Sequence, residues 1–214
     1  MWFADAPCTV FALHPFPGLL NRTGREQVSS MVSVYGPRLA VAIALTAELT
    51  QAAPRTALLT HMGEGLWALS RPEMKVAAAG KHFAPGNLRA TCDCPEYAAL
   101  VSHYMQNRYT LRYSGALVPD VFHILSKGSG VYTTVASAKA KCKLRLVYEV
   151  APVGLLVECA GGATCTAPTA DRKELAAPAS VLDVTITDLD QRLGCCFGGV
   201  EDVALYKQHI YPGQ

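Results

Sequence analysis

Three features of the sequence predict an α/β layered fold. Half of the 214 residues are hydrophobic and 17% are charged, a balance that folds around a sizeable core. Short β-branched and apolar runs alternate with segments of helical spacing, and strands alternating with helices at that density stack helix on sheet. The run from Leu39 to Thr46 is apolar at odd and even positions alike, which marks an internal strand.

In order, residues 7 to 13 (Pro-Cys-Thr-Val-Phe-Ala-Leu) read as a buried strand. A loop rich in Pro, Gly and Asn follows to Gly24. Val28, Met31 and Val32 have helical spacing, so a helix is expected over residues 24 to 34, stopped by Tyr35-Gly36-Pro37. After the internal strand, residues 56 to 60 and 66 to 69 flank Gly63-Glu64-Gly65 as a hairpin. Residues 70 to 79 are poorly patterned, and a boundary is placed there, between parts 1–72 and 73–214.

Cys94 to Met105 reads as a helix, with Pro95 in its first turn and Tyr97, Leu100, Val101 and Tyr104 on one face. Tyr109 to Tyr113 is a strand, Val118 to Leu125 a short helix, and Val131 to Val135 a strand. A long helix is expected through Glu149 to Gly161-Gly162, kinked at Pro152. Residues 166 to 179, with Pro168, Pro178 and a charged cluster, are expected to form an exposed loop. A strand over 195 to 197 and a helix over 201 to 209 close the chain.

Composition excludes several classes. A formal net charge of +2 is too small for a general nucleic-acid or membrane-surface binder. No run approaches the roughly 18 apolar residues of a membrane span. The N-terminus lacks a basic signal region, and the C-terminus is no standard retention or peroxisomal address. Eight cysteines include a CxC at Cys92 and Cys94 and the adjacent Cys195 and Cys196, without paired CxxC hooks and flanking His. That spacing speaks against zinc and for reduced core thiols in an intracellular compartment.

The most informative stretch is residues 139 to 152. Lys139, Lys141, Lys143 and Arg145 occupy alternate positions, after which Glu149 is the lone acid in an apolar run to Val157. A carboxylate in such a run needs a cation or a metal beside it. Two readings stay open on the residues alone: a phosphate-attracting edge beside a compensated acid, or a solvated strand end with Glu149 paired to Arg145 at i,i+4.

The pattern Lys-x-Lys-Leu-Arg-Leu-x-Tyr-Glu-x-x-Pro, followed by Glu158-Cys159-Ala160-Gly161-Gly162, resembles the sugar-bisphosphate phosphatases of the fructose-bisphosphatase family. Pro85-Gly86-Asn87-Leu88-Arg89-Ala90, Tyr109 to Gly115 and Val118-Pro119-Asp120-Val121 resemble its sedoheptulose-bisphosphatase branch. So do Gly24-Arg25-Glu26-Gln27-Val28 and Tyr35-Gly36-Pro37-Arg38, and Val181-Leu182-Asp183 with Asp188 to Arg192 resembles the last turns. The matches run in the family's order from about Cys8 to Tyr211.

The resemblance implies a layered α-β-α sandwich, with 73–214 as its C-terminal domain and 1–72 as a remnant of the N-terminal one. It implies Mg2+-dependent hydrolysis of the 1-phosphate of sedoheptulose 1,7-bisphosphate or fructose 1,6-bisphosphate. Glu149 corresponds to a metal ligand, and Lys143, Asn87 and Tyr113 to contacts with the sugar bisphosphate or its distal phosphate. Arg112 corresponds to an arginine that reaches into a neighbouring subunit's phosphate pocket. Each has a plainer reading: a solvated cation for Lys143 and Arg112, a turn residue for Asn87, a half-buried strand aromatic for Tyr113. Arg112 and Tyr113 must point to opposite faces if both lie in a strand. Where fructose-specific enzymes carry a further phosphate-binding tyrosine, this chain has Thr134, with Tyr132 two residues earlier on the same face.

The family's other metal ligands, a helical Glu, a Glu-Asp pair and an Asp-Pro-Leu-Asp-Gly-Ser-Ser loop, do not occur in this sequence. No residue is therefore assigned as catalytic. The expected protein is a soluble intracellular enzyme of the plastid stroma or cytoplasm, a dimer or tetramer in its full-length form, with no nucleic-acid or membrane partner. The rival expectation is a truncated, catalytically inactive fragment that keeps the substrate contacts. A phosphatase of the inositol-monophosphatase type is disfavoured by Lys143-Leu144-Arg145-Leu146 and Arg112-Tyr113.

Overall fold

Ser29 to Tyr35 shows which period the chain obeys. Ser30, Val32 and Val34 fall on one face of an extended segment, and Ser29, Met31, Ser33 and Tyr35 on the other. The computed structural model describes residues 8–15, 18–169 and 177–213. In it Gly24–Glu26 is a single 3-10 turn and Ser29–Tyr35 is strand β2, so the helix expected over 24–34 is not formed. The helical spacing of Val28, Met31 and Val32 rests on three residues. It loses to full-length pairing on both sides, with β1 (Cys8–Leu13) and β3 (Leu39–Leu45), which satisfies the backbone of the whole run.

The first sheet is an antiparallel meander in the order β1-β2-β3-β4-β5, completed by β4 (Arg55–Gly63) and β5 (Leu66–Arg71). A single helical turn, α1 (Ala47–Thr50), links β3 and β4. The hairpin expected around Gly63-Glu64-Gly65 is present. Its two linking residues, Glu64 and Gly65, both take positive φ, 51° and 77°, the conformation that matches a tight hairpin to strand twist.

The second sheet runs β7-β6-β8-β10-β9. Its strands are β6 (His82–Gly86), β7 (Thr110–Leu111), β8 (Val131–Thr134), β9 (Ala163–Thr166) and β10 (Cys195–Gly198). β6 is parallel to β7 and β8, while β10 is antiparallel to β8 and β9. The parallel pairs are joined through α2 (Pro95–Gln106) and α3 (Leu117–Lys127). Of the strand expected over 109 to 113 only Thr110–Leu111 forms β7, with the Arg112 N–H making one further bond to Phe83 C=O at 2.9 Å.

The long helix expected through Glu149 is two pieces, a π-helical turn at Leu146–Val150 and α4 (Ala151–Cys159). Val150 N–H bonds Arg145 C=O, five residues back, at 2.9 Å. Pro152 then sits in the first turn of α4, where its missing N–H costs nothing; the irregularity lies before the proline. The last helix is α5 (Val200–Ile210). The charged cluster in the expected 166–179 loop, Asp171 to Glu174, lies outside the described residues.

Alternation along the second sheet builds the layers. Ala84, Tyr132, Cys195 and Phe197 face one core with α3 and α4, while Phe83, Val131, Cys165 and Cys196 face another with α2 and α5. The first core also contains Val32, Ala42 and Ala44, so α3 and α4 lie between the two sheets. The stack is sheet, helices, sheet, helices, and parts 1–72 and 73–214 share one core. Held between layers, α4 is buried from Ala151 through Val157. All eight cysteines are free thiols, and Cys94, Cys165, Cys195 and Cys196 are buried.

One buried acid gives the fold a pH dependence. Asp202, in the first turn of α5, is 2% exposed, and one of its oxygens has no hydrogen-bond partner among the described residues. Burial pushes its pKa from 3.8 up to about 6, against a backbone hydrogen bond from Gly80. The fold therefore favours the neutral form, and this stabilisation, complete below about pH 4, is lost as pH rises through 6. Asp202→Asn should be more stable than the parent at pH 7.5, by up to about 3 kcal/mol, with the gap closing by pH 4. Thermal melts at both pH values check this; equal melting temperatures at pH 7.5 would refute it.

Candidate functional site

The C-terminal ends of β6 and β8 open onto a cleft of about 400 Å3. Gly86 and Asn87 form one side, Tyr132 and Thr134 the floor, and residues 141–144 the other side, with Tyr113 and Gly115 at the rim. Arg89, Lys141 and Lys143 also line it, and among the described residues none of its lining is acidic. Three cations with no carboxylate beside them among the described residues suit an anion in a partly enclosed space, where charge is screened less than on open surface.

The alternating cations come apart by role. Lys139 lies 4.0 Å from Asp93, and Arg145 donates to Asp190 at 2.7 Å. Lys141 and Lys143 reach the cleft without an ion pair among the described residues. The segment is an extended connector, not a strand, apart from one bridge between Arg145 and Arg192.

Asn87 lies at φ 51°, a left-handed position that asparagine tolerates. Its side-chain nitrogen donates to Val135 C=O at 2.7 Å and Ala140 C=O at 2.8 Å. Both amide donors are thus spent on the 135–140 loop, and none is left for a phosphate. Ser137 holds the same loop by donating to Asp93 at 2.7 Å. Asn87 shapes the cleft by fixing its wall.

Tyr113 sits at the rim, 43% exposed, with its hydroxyl against the Asn87 backbone N–H. Burial raises its pKa further above the phenol value, aided by the nearby Asp120. The Asp120 carboxylate, 4% exposed, accepts the Ser114 N–H at 2.7 Å and so ties the rim loop to α3. Arg112 is exposed and outside the cleft, its guanidinium donating only to Leu111 C=O at 3.3 Å among the described residues.

Glu149 is not a cleft residue. Its side chain is 32% exposed, so it is not the deeply buried acid that the apolar run suggested. It accepts the Arg145 backbone N–H at 2.7 Å and lies 4.0 Å from the Arg145 guanidinium, the i,i+4 pairing left open by the sequence. It also lies close enough to Cys8, at the start of β1, to reinforce the burial that raises that thiol's pKa. Among the described residues no three His, Cys, Asp or Glu side chains are grouped to hold a metal ion. Glu149 alone does not fit Mg2+, which takes near-octahedral oxygen ligands.

The structure thus brings Asn87, Tyr113 and Lys143 to one cleft and leaves Glu149 and Arg112 outside it. Arg89, Lys141 and Tyr132 line the same cleft without having been assigned a role. Arg89 lies two residues after Asn87 and Lys141 two before Lys143, so their sequence neighbourhood was the available signal.

The family described as fructose-1-6-bisphosphatase, C-terminal domain, matches residues 76–211. Sedoheptulose-1,7-bisphosphatase of the Chlamydomonas reinhardtii chloroplast is 41% identical over 203 residues, covering 95% of this chain and 49% of its own length. The class 1 fructose-1,6-bisphosphatase of Geobacter sulfurreducens is 31% identical, covering 92% of this chain and 57% of its own. A crystal structure assigned as sedoheptulose-1,7 bisphosphatase from Toxoplasma gondii superposes with a TM-score of 0.78 at 34% identity, over 90% of this chain and 56% of that one. The chain spans about half the length of the relatives it matches.

Proposed function

Because the chain belongs to the fructose-1,6-bisphosphatase family, we propose that its cleft binds a phosphate group of a sugar bisphosphate and that the protein serves hydrolysis of the 1-phosphate. The observation that carries this reading is three cleft cations, Arg89, Lys141 and Lys143, with no acidic lining residue among the described ones. Sedoheptulose 1,7-bisphosphate is the preferred substrate in this reading, since the chloroplast relative is 41% identical and the bacterial fructose-1,6-bisphosphatase 31%. The same relative favours the plastid stroma. Among the described residues no helix is long and apolar enough to cross a membrane.

In this reading Lys143 and Lys141 hold the phosphate as point charges, and Arg89 adds a planar fork of donors. Asn87 and Asp120 position the wall and the rim through the bonds already described. Arg112, exposed and not among the cleft residues, is left for a neighbouring subunit of a dimer or tetramer. Mg2+ would supply polarisation of the phosphoryl group, with Glu149 as one carboxylate toward it. The remaining ligands are not among the described residues, so no chemical step is assigned to this chain's own side chains.

Lys143→Ala should weaken binding of sedoheptulose 7-phosphate roughly ten- to hundredfold, the loss expected for a charge-assisted contact. The effect should shrink as salt rises. Isothermal titration at low and physiological ionic strength measures it. Unchanged affinity in the variant would remove the cleft as the phosphate site.

A further inference from the structure

Two tyrosines flank Gly86 and use their hydroxyls differently. Tyr97, fully buried beneath β6, donates to Gly86 C=O at 2.6 Å. Tyr132 is 4% exposed, its ring packed in the core between the sheets and tilted against Phe197 at 6.1 Å. Its hydroxyl has no hydrogen-bond partner among the described residues. Nor is that oxygen among the fully enclosed polar atoms left unpaired, and Tyr132 lines the cleft floor.

The opening is set by Gly86. A Cβ at that position would stand 3.1 Å from the Tyr132 hydroxyl oxygen and the same distance from Thr133 C=O. The missing side chain leaves the phenol tip a way into the cleft. The ring is buried and the O–H has no protein acceptor among the described residues, so its hydrogen-bond partner comes from the cleft, as water or a bound anion. Burial drives its pKa well above the ordinary phenol range, so it stays a donor at every working pH. Three cations bring an anion to that point.

We propose that Tyr132 is a substrate-contacting residue, its hydroxyl donating a hydrogen bond from the cleft floor to an oxygen of the bound phosphate group. This rests on the sugar-phosphate reading of the cleft. It assigns to β8 a phosphate donor at Tyr132, two residues before Thr134 on the same face of the strand. The phosphate takes the place of cleft water as the phenol's acceptor, while the cleft cations supply most of the attraction.

The test is isothermal titration with two probes, inorganic phosphate and sedoheptulose 7-phosphate, on the parent chain and on Tyr132→Phe, Tyr97→Phe and Lys143→Ala, with melting temperatures for all. Tyr132→Phe should weaken both probes by about tenfold, as for one hydrogen bond to a charged acceptor. Its melting temperature should be unchanged or higher, because no internal bond is lost. Tyr97→Phe should do the reverse, melting lower with affinity nearly kept. If Tyr132→Phe binds both probes as the parent does while Lys143→Ala does not, Tyr132 is no ligand and the cleft reading stands. A loss confined to the sugar phosphate would overturn the assignment to the phosphate group. A fall in melting temperature equal to that of Tyr97→Phe would make Tyr132 structural. A parent chain that binds neither probe would sink both the inference and the reading beneath it.

Discussion

The 214-residue polypeptide is expected to bind sugar phosphates without releasing phosphate from sedoheptulose or fructose bisphosphate, with or without magnesium. Phosphate-ester hydrolysis is among the slowest uncatalysed reactions, and enzymes accelerate it by up to roughly 10²¹-fold. Carboxylate-held metals supply much of that acceleration by polarising the phosphoryl group and activating water. Among the described residues no three His, Cys, Asp or Glu are grouped to hold a metal, and Glu149, the carboxylate proposed to face one, already accepts the Arg145 backbone N–H at 2.7 Å. Lysine and arginine cannot stand in for the missing ligands, because they repel the metal. Joined to the half of the relatives that it does not span, the chain should gain magnesium-dependent turnover, and Glu149→Gln should abolish it. A phosphate-release assay on both polypeptides decides the matter. Magnesium-dependent release by the 214-residue chain alone, lost in Glu149→Gln, would show that it already holds a working centre.

The parts of this fold and cleft that were legible from sequence are those written in local chemistry. Gly63-Glu64-Gly65 announced a hairpin because only certain backbones accept two consecutive positive φ values. The alternating cations left two readings open, and the structure places Lys141 and Lys143 on the cleft while Lys139 and Arg145 pair with Asp93 and Asp190. In β2 three apolar residues fit two periods, and only its neighbours β1 and β3 choose the strand over the helix. The amide donors of Asn87 are consumed by carbonyls 48 and 53 residues away, a distance no local pattern carries. Tyr132 is the same case in reverse. A tyrosine in a β-branched strand reads as core, and its ring is core; the exposed atom is the hydroxyl, and Gly86 on the adjacent strand decides that.

The chain should also self-associate through the first sheet, in proportion to concentration. Val10, Val32, Ala42 and Leu58 turn inward, so the opposite face carries Phe11, Leu13, Met31, Tyr35, Val41, Leu59, Trp67 and Leu69. Phe11 is 54%, Leu13 55%, Trp67 45% and Leu69 57% exposed. Five strands about 4.8 Å apart and six or so residues long give this face a footprint on the order of 500 Å2. That is at the upper end of the apolar patches monomers leave open. Two such faces stacked would bury about 1,000 Å2, the lower edge of specific interfaces, so the association should be weak and reversible. Sedimentation velocity from micromolar to hundreds of micromolar should show the mean mass rising. Phe11→Thr with Leu69→Thr suits exposed strand positions and removes apolar area without touching the core. The pair should restore a monomer over that range with the melting temperature nearly unchanged. A parent chain that stays monomeric throughout, or a double variant that associates as before, would show that this face is not the one that sticks.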